Sequence, residues 1–227
     1  GVELDRMSAK IAGYLYPEAN IQNIGFERTN YPDGYFDVAI GNVPFGDYRV
    51  NDPVYNSHGF LIHDYFFAKT LDKLRAGGVA AYITTKGTMD KESTKVREFL
   101  FKKAELLGAI RLPNTAFKNA GTKVTADILF LQKREREIEN PEWTTITEDA
   151  QGFRINSYFV QHPEMILGTM QEISGPYGME TTCVEKEGVP LGERLRAAIS
   201  HITGHIPERV EEERAEFRYE AEQPTDA

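Results

Sequence analysis

The chain has 227 residues, 41% of them hydrophobic and 11% aromatic, which suits one sizeable core plus an appendage and excludes a disordered chain. A net charge of −9 excludes a uniformly basic nucleic-acid-binding surface. No apolar run approaches the ~20 residues that span a bilayer, and the N-terminus carries no signal-peptide pattern.

The first elements follow in chain order. Residues 1–4 read as a strand, entered directly at Gly1 without an initiator Met, so the chain is expected to be a fragment or excised domain. Residues 6–16 read as a helix stopped by Pro17, and residues 20–26 as a second short strand. Residues 36–41 (FDVAIG) are apolar enough for a central strand of a parallel sheet.

Residues 60–75 predict a long helix with an apolar stripe of Ile62, Phe66, Phe67, Leu71 and Leu74, stopped by Gly77 and Gly78. His63 and Asp64 open it and read as capping groups. Residues 79–84 (VAAYIT) follow as a buried strand. Ser93 is a plausible N-cap for a helix carrying Val96, Phe99, Leu100 and Leu107 and closed at Gly108. Residues 109–112 and 125–131 complete the strands. Such alternation predicts an α/β, doubly wound sheet with helices on both faces.

Charge is uneven along this order. Residues 1–85 hold 7 Lys/Arg against 10 Asp/Glu, residues 86–136 hold 12 against 6, and residues 137–227 hold 7 against 19. The basic middle segment can meet a phosphate backbone or be a solvated Lys-rich helix face. Composition shifts near residue 137, giving an expected boundary between a domain over 1–136 and an acidic C-terminal extension over 137–227. A solvated helix running into a disordered tail is expected from about residue 207.

Ligands of open α/β sheets bind beyond the carboxyl ends of the strands, which here carry Glu3 and Asp5, Glu27, and the segment from Gly41 through Asn42, Val43, Pro44 and Phe45 to Gly46. Pro44 lacks an N–H and the glycines permit a tight bend, so this last segment leaves the sheet as a loop. The Asn42 side-chain oxygen and the Val43 carbonyl can accept both N–H bonds of an exocyclic amine, while Phe45 stacks on its ring. A structural turn with a packed Phe is the competing explanation for these four residues alone.

Residues 36–46 (FDVAIGNVPFG) resemble the catalytic signature of adenine-N6 DNA methyltransferases, an Asn/Asp-Pro-Pro-aromatic motif after an apolar strand. Residues 1–5 are similar to that family's second cofactor motif, and the later elements follow in order over roughly residues 1–136. Residues 60–67, 85–90 and 158–165 are similar to the large methylase–helicase fusions of bacterial mobile elements.

The resemblance implies a partial Rossmann-like methyltransferase sheet and S-adenosylmethionine as cofactor. It also implies double-stranded DNA with a flipped-out adenine as substrate, in restriction-modification or mobile-element biology. Asn42, Val43, Pro44 and Phe45 would form the target-base pocket. Glu3 would bind the cofactor ribose, and Glu27 would sit near its adenine. A helicase region of the same polypeptide is an implied partner. The signature's first proline is Val43, which is expected to relax the loop, and no Gly-rich cofactor loop is present.

Lys86 and Lys91 flank a polar loop, which is either a place where a DNA phosphate or flipped nucleotide is met or a merely solvated loop. No metal is expected, although His201 and His205 have i, i+4 spacing. The single cysteine, Cys183, excludes an internal disulfide, fits a reducing, cytoplasmic compartment and has no activating pattern nearby. Two alternatives stay open. One is methylation of a protein glutamine amide, and the other is a non-catalytic DNA- or partner-binding module on a degenerate methyltransferase fold.

Overall fold

The computed structural model describes residues 1–175 and 178–209. Helix α1 (Arg6–Leu15) is capped by Asp5, whose side chain accepts the Ser8 N–H at 2.7 Å. The central sheet has the order β1 (Phe36–Asn42), β2 (Leu74–Thr85), β4 (Ala126–Lys133), β3 (Ala104–Leu112). β1 and β2 are parallel, joined through α2 (Ile62–Lys73), as a parallel crossover requires. β4 runs antiparallel to both β2 and β3. The sheet is thus a mixed member of the expected α/β class.

Between β2 and β3 lie α3 (Gly87–Asp90) and α4 (Lys95–Lys103). Ala80 and Tyr82 of β2, with Leu129 and Leu131 of β4, face α2 and are at most 8% exposed. Tyr82 packs its ring edge-on to Phe67 and hydrogen-bonds Thr70 at 2.6 Å, both on α2. Gly108 of β3 points to the opposite face, where Ile202 and the Tyr158 hydroxyl close over it.

Among its described residues, the C-terminal extension forms two ribbons and two α-helices around the β3 edge. β5 (Ile146–Glu148) pairs with β6 (Arg154–Asn156), which leads into α5 (Ser157–Gln161). β7 (Gly168–Gly175) pairs with β8 (Gly178–Glu185), and α6 (Leu191–Ile199) follows. Ile166 bridges Arg111 in parallel, extending the sheet by one contact. Tyr158, Phe159, Met165, Cys183 and Ala198 belong to the same apolar cluster as the sheet, so hydrophobic burial continues across residue 137. The acidic side chains Glu172, Glu180 and Glu185 all lie exposed on the β7–β8 ribbon.

Several expected boundaries move. Residues 1–4 and 20–26 form no strand beyond a single parallel bridge from Val2 to Gln22. The helix over 60–75 ends at Lys73, because Leu74 already pairs with Phe36. Gly77 and Gly78 therefore lie inside β2, where a Cβ at Gly78 would come within 3.0 Å of the Asp37 carbonyl. His63 and Asp64 do not cap α2; its N-cap position is Leu61, and both side chains are buried. Thr94, not Ser93, occupies the N-cap position of α4, and Leu107 and Gly108 belong to β3. His201 and His205 lie beyond α6, so their helical spacing is not realised. From the expected tail, Arg209 bonds Asp37 at 3.0 Å. Residues 210–227 lie outside the described residues.

The fold carries two buried cations from the basic middle segment. Arg97 and Arg111 are fully buried. Arg111 forms a two-bonded pair with Asp127 at 2.9 and 2.8 Å, an ion pair with Asp90 at 2.7 Å, and stacks over Phe159 at 4.2 Å. Burial alone would lower its pKa, but the two carboxylates raise it and hold the guanidinium charged. Cys183 is also fully buried, and burial pushes its thiol up to about 12. In the native protein Cys183 should therefore react with a thiol reagent at least about a hundredfold more slowly than in denaturant, since the thiolate is the nucleophile. A colorimetric thiol titration with and without denaturant checks this.

Candidate active site

β1 is an apolar strand with an open edge. Ile40 and Val38 are 78% and 48% exposed, and among the described residues β2 is its only strand neighbour. Beside that edge lies a cavity of 1240 Å³, bounded by residues 1–6, 24–27 and 38–44 and floored by Phe66, Thr70 and Tyr82.

The loop after β1 begins at Asn42, which is exposed, while its backbone pairs with Ile83. Val43 is only 4% exposed and joins the main apolar cluster. Its N–H donates to the Ile83 carbonyl at 3.1 Å, a bond that proline could not make. The expected relaxation at Val43 is thereby offset, since this backbone is anchored by pairing rather than by a ring. Pro44 lines the cavity, and Phe45 is 37% exposed beyond it. The loop returns to the sheet layer at α2, where the Ile62 N–H donates to the Tyr48 carbonyl at 2.9 Å.

Glu3 and Glu27 also line the cavity. The Glu3 carboxylate accepts the Asp5 N–H at 2.8 Å, which turns the chain into α1 and fixes that side chain at the cavity rim. Asn23 donates to the carbonyls of Glu3 and Leu4 at 2.8 and 3.0 Å, tying residues 1–4 to the segment that leads to Glu27. Glu27 sits in a single 3-10 turn, Phe26–Arg28. Its carboxylate folds back over Gly25, where a Cβ would stand 2.2 Å from a carboxylate oxygen.

Lys86 and Lys91 part company. The Lys86 ammonium donates to the carbonyl and hydroxyl of Thr181, and burial together with nearby Arg111 lowers its pKa. Lys91 is exposed. Sequence reasoning missed three further exposed cations at this end of the sheet, Lys95 at the start of α4 and Lys118 and Lys123 in the β3–β4 loop. Lys118 and Lys123 follow a strand end that the register of β3 against β4 defines, and Lys95 follows the end of β2 and α3.

In the first turn of α2 lies the pair His63–Asp64, with ring nitrogen and carboxylate 3.5 Å apart. Burial lowers the His63 pKa and raises that of Asp64, so the imidazole is neutral near pH 7. Among the described residues no group of His, Cys, Asp and Glu is arranged to hold a metal. No described helix is long and apolar enough to cross a membrane.

Residues 4–157 match the family described as N-6 DNA Methylase. The chain is 33% identical over 142 residues to "Defense against restriction protein B" of Escherichia phage P1, a match covering 60% of this chain and 6% of that protein. Among solved structures, it is similar to the type I restriction enzyme EcoKI M protein, with a TM-score of 0.50 and 14% identity. That likeness covers 89% of this chain and 57% of the M protein. The chain thus spans a small part of its phage relative and little over half of the M protein.

Proposed function

This chain belongs to the N-6 DNA methylase family, and on that premise we propose that it forms part of an enzyme moving a methyl group from S-adenosylmethionine to adenine N6 in DNA. The observation that carries this reading is one cavity lined both by Asn42, Val43 and Pro44 and by Glu3 and Glu27.

The residues present fit the donor's adenosine end. Glu3 and Glu27 offer carboxylate acceptors to ribose hydroxyls and to an adenine amine, and Gly25 leaves the room that the Glu27 carboxylate occupies. When bound, S-adenosylmethionine supplies an electrophilic methyl group. The chain's own contribution is to the acceptor. Asn42 and the Val43 carbonyl accept the two N–H bonds of a flipped adenine's amine, and Phe45 stacks on the base. Acceptors held in that way favour a pyramidal nitrogen with its lone pair free for attack. Transfer is then direct, with no covalent enzyme intermediate.

Phosphate contacts fall to Lys91, with Lys95, Lys118 and Lys123, rather than to Lys86. Residues 1–136 carry the chemistry, and the extension from 137 braces the β3 edge with the acids of its β7–β8 ribbon turned outward. The open β1 edge and the cavity's size support action within a larger protein, whose other segments complete the donor site and include a helicase region of the same polypeptide.

The test is transfer of labelled methyl from S-adenosylmethionine by the full-length protein, with DNA and protein acceptors offered separately. Label in DNA supports the proposal. Label only in protein favours glutamine methylation, and donor binding absent by calorimetry favours a non-catalytic module. Gly25→Ala refines the donor wall. The Gly25 backbone, at φ −69°, tolerates alanine. The melting temperature should stay within about 2 °C of wild type. The added methyl displaces the Glu27 carboxylate, so calorimetric donor affinity should fall about tenfold, the loss of one charge-assisted bond.

A further inference from the structure

The cavity is lined by chain segments far apart in sequence, and one buried side chain ties the Glu27 turn to the loop that follows the Asn42–Phe45 segment. Lys69 lies on α2 and is 4% exposed. Its ammonium donates to the Glu27 carbonyl at 3.3 Å and to the Asp52 carboxylate at 3.1 Å. It sits over the rings of Phe26 and Tyr65, at 5.3 and 5.9 Å from their centroids. The Tyr65 hydroxyl donates to the same carboxylate at 2.8 Å.

Asp52 in turn organises the loop that leaves the Asn42–Phe45 segment. Its carbonyl accepts the Tyr55 and Asn56 N–H groups, each at 2.9 Å, and its carboxylate accepts the Val54 N–H at 3.1 Å. Burial would push the Asp52 carboxyl up, but Tyr65 and Lys69 hold it below the usual carboxylate range. A charge this deeply buried is costly unless every bond is made, and a well-packed apolar pair would hold α2 in place as well. The retained charges do something an apolar pair could not: one cation fixes the backbone carbonyl of Glu27, which lines the cavity, and a carboxylate of the loop that follows the Asn42–Phe45 segment.

We propose that Lys69 is a positioning residue that sets the Glu27 turn against the loop behind the target-base pocket, and so fixes the shape of the adenosine end of the donor site. The proposal rests on the reading of this cavity as a methyl-donor site.

The test uses the full-length protein with Lys69→Met and with the double variant Lys69→Met/Asp52→Asn, which leaves no unpaired buried charge. Three quantities are measured: thermal midpoint, hydrogen exchange over residues 26–29 and 51–56, and the dissociation constant for S-adenosylhomocysteine. Lys69→Met should lower the midpoint, speed exchange in both segments and weaken binding about tenfold. The double variant should recover the midpoint, because the amide that replaces the carboxylate still accepts the Val54 N–H through its oxygen and donates through its NH2 to the Tyr65 hydroxyl. It should nevertheless keep the fast exchange at 26–29 and the weak binding.

A merely structural Lys69 would recover binding with the midpoint, and that result overturns the proposal. So does wild-type exchange at 26–29 in either variant. Wild-type protein that fails to bind the analogue at all overturns the donor-site reading itself, an outcome distinct from normal wild-type binding with unaffected variants.

Discussion

Asn42→Ala should reduce methyl transfer to DNA by about 10²–10³-fold, the loss typical of removing one preorganised hydrogen-bonding group at a reacting centre. The side chain is exposed, while the Asn42 backbone stays paired with Ile83 and the next residue is anchored through its own N–H. Stability should therefore change by no more than about 0.5 kcal/mol. Donor affinity should also hold, since the proposed donor contacts are made by Glu3 and Glu27, which the substitution leaves in place. Single-turnover kinetics with calorimetry on the same protein separate these quantities. A drop in transfer with unchanged donor binding is the pattern of a group that acts on the acceptor amine.

Arg111→Met carries the largest expected loss of stability. Asp127 is fully buried and takes both its hydrogen bonds to a side chain from Arg111, while Asp90 pairs with the same guanidinium at 2.7 Å. Removing the cation strands two carboxylates in the interior, a cost of about 3–5 kcal/mol. In a chain of this size that lowers the melting temperature by roughly 10 °C. Arg111→Met/Asp127→Leu should recover more than half of the loss, because the uncompensated charge is the main penalty. Circular-dichroism melts of the three proteins check it. Equal losses in the single and double variants would place the cost in packing over Phe159 instead.

The parts of the fold legible in the sequence are those whose signal is local. The apolar run ending at Asn42 is a strand as expected, through its pairing with β2. Among the described residues, however, it lies at the edge of the sheet rather than at its centre. The loop after it follows from Pro44. The stripe through Phe67 and Leu71 marks α2 correctly.

What was not legible depends on pairing between distant segments. Gly77 and Gly78 carry a stop signal, yet the helix ends four residues earlier because Leu74 pairs with Phe36 across the sheet. Residues 1–4 have strand composition but gain only one bridge, to Gln22. The acidity of the extension concealed its role, since its buried members Tyr158, Phe159, Met165 and Cys183 are scattered among exposed acids.

Within the site, residue types were readable and their environments were not. Lys86 and Lys91 look alike in sequence, but Thr181, 95 residues away, takes the first into the β7–β8 ribbon. Lys69 gives no local sign of its two partners, which are 42 and 17 residues distant. The value of Val43 emerges only with Ile83 beside it.

The most direct test is the chemical identity of the product. Full-length protein is incubated with S-adenosylmethionine and unmodified double-stranded DNA, and the DNA is digested to nucleosides for mass spectrometry. N6-methyladenine that forms with wild type and falls to about 1% or less with Asn42→Ala is the predicted result. A methylated cytosine, or N6-methyladenine undiminished in the Asn42→Ala protein, would contradict it.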